Sequence, residues 1–293
     1  MLEPRTYKYK STGNCEIRAD VHGPPDVIQP AILWMHGGAL LGGGRADVKE
    51  DQLRLYAEAG YKVVSIDYRL APESKLDSIL ADIRDAWSWL RGEAPSLGID
   101  RERVGLVGHS AGGYLVLSGG YLFDPPPRAI VSFYGYGDVI GPWYSQPDPF
   151  YCSQPAVSRQ DAYSSVGERP ISETSDPARW NLYLHLRQTG RWPEAVTGLN
   201  PEENREGFGK YCPVRNVAEG YPPTILVHGR KDTDVPYEQS VSMARELDSK
   251  GVDFELIIVA GAGHGFDGLG IENPDVKAVF VRVLAFLKRY MRQ

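Results

Sequence analysis

The stretch Val107-Gly108-His109-Ser110-Ala111-Gly112-Gly113 constrains this chain more than any other. A β-rich run, Arg103 to Val107, leads into it, and a helix-compatible run, Gly112 to Tyr121, leads out. A strand that enters a helix through one serine must turn so tightly that the serine backbone is strained. Glycines two residues before and two after leave room for the crossing chain. The hydroxyl is then held in the open, between the C-terminal end of a strand and the N-terminal end of a helix. Ser110 is thus the candidate nucleophile.

The rest of the pattern supplies strands and helices in the same rhythm. Arg5 to Val21 reads as a hairpin around Ser11-Thr12-Gly13-Asn14. Ala31 to Met35, Lys62 to Ile66, Val104 to Val107, Ala129 to Phe133, Thr224 to Val227 and Phe254 to Val259 are apolar runs too short for helices. Between them lie helical patterns at Asp47 to Ala59, Leu76 to Arg91, Tyr237 to Lys250 and Pro274 to Tyr290. On the second of these, Leu76, Ile79, Leu80, Ile83, Trp87 and Leu90 share one face, which leaves Asp77, Asp82, Asp85 and Arg91 for a solvated one. Strands alternating with helices predict an α/β fold with a mainly parallel sheet, covered on both sides.

One region breaks the rhythm. Between Gly135 and Pro222 lie ten prolines and twelve aromatic residues, with helical suggestions only at Pro177 to Arg187. Disordered segments are poor in aromatics, and long irregular stretches in compact domains are usually functional. The expectation is a cap-like insertion, 135–222, packed over the strand ends of a core formed by 1–134 and 223–293; a decorative surface excursion is the alternative.

Composition narrows the partners. A net charge of −6 offers no basic surplus for nucleic acid. No apolar stretch approaches the ~20 residues that span a bilayer, and Met1 to Arg5 lacks the apolar core of a leader. The three cysteines, Cys15, Cys152 and Cys212, have no metal-ligand or redox spacing. Reduced thiols in a cytoplasmic protein are expected. Oligomeric state is not legible.

A serine hydroxyl needs a base within hydrogen-bond reach, oriented in turn by a carboxylate. Of the six histidines, His109 adjoins the nucleophile and points elsewhere, His228 ends a strand, His22 belongs to the hairpin, and His185 lies in the insertion. His36 falls in the glycine loop considered below. His264 sits in Gly263-His264-Gly265-Phe266, a glycine-rich loop directly after the last strand, from which it can reach Ser110. The acid should come from His228-Gly229-Arg230-Lys231-Asp232-Thr233-Asp234. Asp232 lies nearer the strand end, whereas Asp234 suits a role in capping the next helix or holding the loop. The backbone amides of Gly37 and Gly38, which follow the Ala31 to Met35 strand, together with that of Ala111, form the candidate oxyanion hole. Gly42-Gly43-Gly44-Arg45 lacks the Lys-Ser/Thr ending of a phosphate loop and reads as a flexible loop near the site mouth.

These residues together resemble the α/β-hydrolase superfamily, and within it the hormone-sensitive-lipase-like and related carboxylesterases (fold-3). The match runs through His36-Gly37-Gly38, Asp67-Tyr68-Arg69-Leu70-Ala71-Pro72-Glu73, Gly108 to Gly113, the Asp232 loop and Gly263 to Phe266. The resemblance implies an eight-stranded, mostly parallel sheet whose first strands are antiparallel, and an ester hydrolase without metal or cofactor. Ala39 stands where many relatives have a third glycine, and His109 where many have an acid. About thirty residues precede the first core strand, too few for an N-terminal cap, so the 135–222 insertion should cover the pocket. These departures admit formamidase-like and feruloyl-esterase-like branches. The Tyr68 to Glu73 segment reads as structural, with an Arg69–Glu73 pairing fixing its loop.

The expected activity is hydrolysis of a small-molecule ester through an acyl-enzyme, with Ser110, His264 and Asp232 as the triad. Rivals are an amidase or peptidase on the same site, and a ligand receptor without turnover. Among insertion aromatics, Trp143, Tyr144 and Tyr183 are the candidate substrate contacts, favouring an apolar or aromatic ligand. Loss of activity in acid is expected near the ordinary histidine pKa of ~6.5.

Overall fold

The computed structural model describes residues 3–291; Met1 and Leu2, part of the stretch read for a leader, lie outside them. Its strands are β1 (Arg5–Thr12), β2 (Cys15–His22), β3 (Gln29–Met35), β4 (Lys62–Ile66), β5 (Ile99–His109), β6 (Ile130–Phe133), β7 (Thr224–Gly229) and β8 (Phe254–Val259). They form one eight-stranded sheet in the order β1-β2-β4-β3-β5-β6-β7-β8. β1 and β2 pair antiparallel, as do β2 and β4, and every later pairing is parallel.

The period of two explains the apolar runs. Along β3, Ala31, Leu33 and Met35 enter one core while Ile32 and Trp34 enter the other. In β6, Ile130 faces the first core and Val131 and Phe133 the second. Both faces are covered, so both sets of side chains are apolar. Helices α1 (Glu50–Glu58) and α10 (Pro274–Tyr290) cover one face. Helices α2 (Leu76–Leu97), α3 (Ala111–Leu122) and α9 (Glu238–Ser249) cover the other. α2 runs six residues past the expected end at Arg91, burying Ala94 and Leu97, and stops at Gly98, whose left-handed φ of 64° caps it. Among the described residues no helix is long and apolar enough to cross a membrane.

Two side-chain expectations are corrected by packing. Asp82 is not solvated: it is buried where α2 meets β1, with Lys10 Nζ at 2.7 Å and both Arg69 Nε and Nη2 at 2.7 Å. Arg69 therefore pairs with Asp82 rather than with Glu73. The partner of Glu73 is Arg179, whose Nη1 donates at 3.0 Å from more than a hundred residues further along the chain. Helical periodicity identified the face of α2 that meets the sheet, but it could not show that β1 also packs against its flank.

Between β6 and β7, residues 135–222 carry short helices α4 (Pro142–Ser145), α5 (Pro149–Cys152), α6 (Arg159–Ala162), α7 (Ala178–Thr189) and α8 (Trp192–Thr197). The segment is built around aromatic contacts: Tyr144 stacks on Trp143 with ring centres 3.6 Å apart and on Trp192 at 4.0 Å. It is tied to the core loops by hydrogen bonds. Gly43 and Thr174 exchange backbone bonds of 3.0 and 3.1 Å, and Trp192 Nε1 donates to the Ala39 carbonyl at 3.0 Å.

The two readings of Asp82 differ in measurable stability. Asp82→Ala leaves Lys10 and Arg69 without their buried partner, so unfolding by urea should show a loss of about 3 kcal/mol or more. A solvated aspartate would cost under about 0.5 kcal/mol.

Candidate active site

Ser110 follows β5 directly and caps the N-terminus of α3, with φ 56° and ψ −117°. A serine rarely adopts that left-handed φ, and the surrounding backbone enforces it. A Cβ on Gly108 would lie 2.1 Å from the Gly112 carbonyl oxygen, and one on Gly112 would lie 2.0 Å from that of Met35. Only glycine permits such approaches, which explains the spacing read in the sequence.

His264 follows β8, and its Nε2 lies 3.0 Å from Ser110 Oγ. Its Nδ1 lies 2.8 Å from Asp232 Oδ2. A carboxylate can only accept, so Nδ1 carries the hydrogen and Nε2 presents its lone pair to the serine hydroxyl. Asp232 is fixed from several sides: Oδ1 accepts the backbone amides of Asp234 and Val235 at 2.8 and 2.9 Å. Burial would raise the Asp232 carboxyl, but hydrogen bonds from His228 and His264 outweigh it and hold it well below the usual carboxylate range. His264 is lowered by burial and raised more by its bond to Asp232 and by the charge of Asp234, so its pKa ends above 6.5.

The loop after β3 supplies the facing wall. Gly38 has φ 93°, and a Cβ there would lie 2.2 Å from the Gly42 carbonyl oxygen. Ala39 and Leu40 follow with φ of 55° and 63°. The Tyr68 hydroxyl donates to the His36 carbonyl at 2.8 Å, and the buried His36 ring stacks on Tyr68. Burial lowers the His36 pKa to about 4, so the ring is neutral and donates Nδ1–H to the Gly37 carbonyl at 2.8 Å. Among the described residues the amides of Gly37, Gly38 and Ala111 find no protein acceptor. Gly37 also packs directly on the elbow, since a Cβ there would lie 3.3 Å from Ser110 Cβ.

These groups open into a cavity of about 540 Å³ whose wall includes Gly37, Gly38, Ser110, His264, Asp234 and, from α7, Trp180 and Tyr183. Of the three aromatic contacts expected from the sequence, Tyr183 lines the cavity. Trp143 and Tyr144 do not: they pack inside the insertion, where Tyr144 is almost completely buried. The aromatics of 135–222 mostly join the core under the sheet, and composition cannot separate core from wall.

Three other histidines have partners outside the Ser110–His264–Asp232 chain. His109 is buried, stacked on Phe133 at 4.5 Å, with Nε2 3.4 Å from Asp267. The His185 Nδ1 lies 2.9 Å from the Val157 carbonyl, and His22 Nε2 lies 3.3 Å from Ser65 Oγ. Two neighbours of the site, His228 and Tyr134, were not anticipated, and a third, Asp234, was weighed only as the second acid, a helix cap or a loop holder. His228 Nε2 stands 3.2 Å from Asp232 Oδ2, and its spacing of four residues from the acid was the available signal. The Tyr134 ring lies 4.7 Å from that of His264, and Asp234 Oδ2 lies 3.3 Å from His264 Nε2. No sequence signal marks Tyr134.

A family model described as alpha/beta hydrolase fold matches residues 32–268, and the chain belongs to that family. The non-reducing polyketide synthase adrD of Penicillium rubens is 29% identical over 91% of this chain, which spans only 13% of that relative. Among solved structures, a protein of unknown function from Staphylococcus aureus superposes with a TM-score of 0.82 at 21% identity, covering 98% of this chain and 100% of that one. Esterase 2 of Thermogutta terrifontis, phosphorylated by paraoxon, superposes at 0.69 and 21% identity over 98% of this chain and 94% of its own.

Outweighing burial, the bond to Asp232 and the charge of Asp234 raise the His264 pKa from its ordinary value and fix a sign. A protonated imidazole cannot take the serine proton, so kcat/KM should fall as pH drops through an apparent pKa above 6.5. A pH profile whose acid limb lies below 6.5 would contradict the arrangement of charges around His264.

Proposed function

We propose that this protein is a serine carboxylic-ester hydrolase that works through an acyl-enzyme. The observation that carries the reading is the unbroken chain of bonds from Ser110 Oγ at the cavity wall through His264, at 3.0 and 2.8 Å, to the fully buried side chain of Asp232. Ser110 Oγ attacks the acyl carbonyl while His264 Nε2 takes its proton. Asp232 holds the imidazole in the tautomer that leaves Nε2 free, and stabilises the imidazolium once formed. The amides of Gly37, Gly38 and Ala111, which find no acceptor among the described residues, bind the oxyanion of the tetrahedral intermediate. His264 then returns the proton to the leaving alcohol, and water repeats the sequence on the acyl-enzyme.

The mechanism calls on no cofactor or metal, and the partner proposed is a small-molecule ester. The esterase named among the structural neighbours supports the reaction class. The reading includes a reducing, cytoplasmic setting, with Cys15, Cys152 and Cys212 all free thiols.

Two measurements test it. Ser110→Ala should lower kcat by at least roughly 10⁴-fold with the fold retained, and paraoxon should add one phosphoryl group to the wild type but none to the variant. Measured activity in Ser110→Ala rules out the nucleophile. A matched ester and amide separate the leading reading from an amidase, since the ester should show the higher kcat/KM. Tight binding of an ester without release of acid would favour a receptor.

A further inference from the structure

Asp234 stands on the cavity wall beside the imidazole and has no part in the mechanism above. Its two oxygens are employed differently. Oδ1 accepts hydrogen bonds from the Tyr151 hydroxyl at 2.8 Å, from the Tyr183 hydroxyl, and from Arg187 Nη1 at 2.7 Å. Arg187 is itself buried, donates a further bond of 3.0 Å to the Asp234 carbonyl, and is held by Asp148 at 2.8 Å. Three donors on one oxygen lock the orientation of the carboxylate. Oδ2 lies 3.3 Å from His264 Nε2, which carries no hydrogen in the resting tautomer, and among the described residues no donor bonds to it. A carboxylate oxygen with spare acceptor capacity is therefore fixed next to the atom that protonates the leaving group.

We propose that Asp234 Oδ2 recognises the leaving alcohol, and that the preferred substrates are esters of alcohols bearing a second hydroxyl one or two carbons from the ester oxygen. Monoacyl esters of 1,2-diols, 1,3-diols and polyols are the class. The inference rests on the ester-hydrolase reading. A leaving oxygen that takes a proton from Nε2 must come within about 3 Å of it. It then lies within about 6 Å of Oδ2, a gap that a hydroxyl on a neighbouring carbon can bridge. The bond it donates is charge-assisted and stronger than one between neutral groups. Electrostatics point the same way. Asp47 and Asp176 also line the cavity, while Arg179, the one lining arginine among the described residues, is already engaged by Glu73. An anionic leaving group finds no free guanidinium there, whereas a neutral hydroxyl finds an acceptor.

The same geometry dictates what Asp234→Asn does. The donors of Tyr151, Tyr183 and Arg187 require an oxygen at the Oδ1 place, so the amide NH₂ of asparagine must occupy the place of Oδ2. An acceptor facing the leaving group becomes a donor.

The test compares three acetate esters with the purified protein: 2-hydroxyethyl, 2-methoxyethyl and propyl. The methoxy compound keeps the electron withdrawal of the hydroxyl but cannot donate. The wild type should favour 2-hydroxyethyl over 2-methoxyethyl acetate in kcat/KM by about tenfold, the scale of one hydrogen bond to a charged group. In Asp234→Asn that ratio should fall to one or below, with circular dichroism confirming the fold. A wild-type ratio near one overturns the inference, as does a ratio that survives in Asp234→Asn. Should the variant fail to fold, the wild-type ratio still decides. Hydrolysis of p-nitrophenyl acetate separates the two levels. If it proceeds while the ratio is one, the recognition role falls alone. If neither it nor any of the three esters is cleaved, the ester-hydrolase reading falls and takes the inference with it.

Discussion

Backbone meeting backbone at the head of α3 is the contact on which the rest of this structure depends. The end of β3, the turn at Ser110 and the start of the segment after β6 touch without intervening side chains: Gly112 lies against Met35, and a Cβ on Gly113 would lie 2.8 Å from Gly135 Cα. That proximity forces Ser110 into its left-handed conformation and sets the loop of Gly37 and Gly38 beside its hydroxyl. Spacing between the Ser110 hydroxyl and the facing amides is thus a property of the sheet and of α3. Distant loops need not hold it, and a side chain at any of these glycines would push the two apart.

The second constraint comes from residues 135–222. Ala39 and Leu40 hold φ values that non-glycine residues rarely adopt. They persist because their carbonyls are claimed, that of Ala39 by the Trp192 indole and that of Leu40 by the Ala71 amide at 2.8 Å. Arg179 and Arg187, both on α7, reach down to Glu73 and Asp234 on core loops. The insertion therefore holds the loops that frame the cavity as well as forming part of its wall. Arg187 does so from within a cage of Trp143, Tyr144, Tyr151 and Tyr183, which offsets part of the cost of burying a guanidinium.

Much of this could be read from the residues in order. The glycines around Ser110 announced a strand-to-helix turn because only steric exclusion makes them necessary. His264 and Asp232 were traceable because each follows a buried strand closely, and all the parallel strands end at one edge of the sheet. The aromatic content of 135–222 pointed to ordered packing, and those aromatics are buried in the core under the sheet. Other features were beyond reach. Asp82 sits at a helical position whose neighbours Asp77 and Asp85 are solvent-facing, yet it is buried because β1 folds over that flank. Glu73 was matched to the nearby Arg69, when its partner is an arginine more than a hundred positions away. Trp143 and Tyr144 share their composition with Tyr183 and differ only in which way α4 and α7 turn them.

The sequence by itself determined the order of strands and helices, the elbow at Ser110 and the chain positions of the residues that meet there. Those features follow from backbone sterics and hydrophobic period, which act over a few residues and leave a local mark. Tertiary structure alone decided which carboxylate pairs with which base, which aromatic faces the cavity and which oxygen of Asp234 is left open. Such outcomes depend on groups far apart along the chain competing for the same donors, and no short-range pattern records which of them wins.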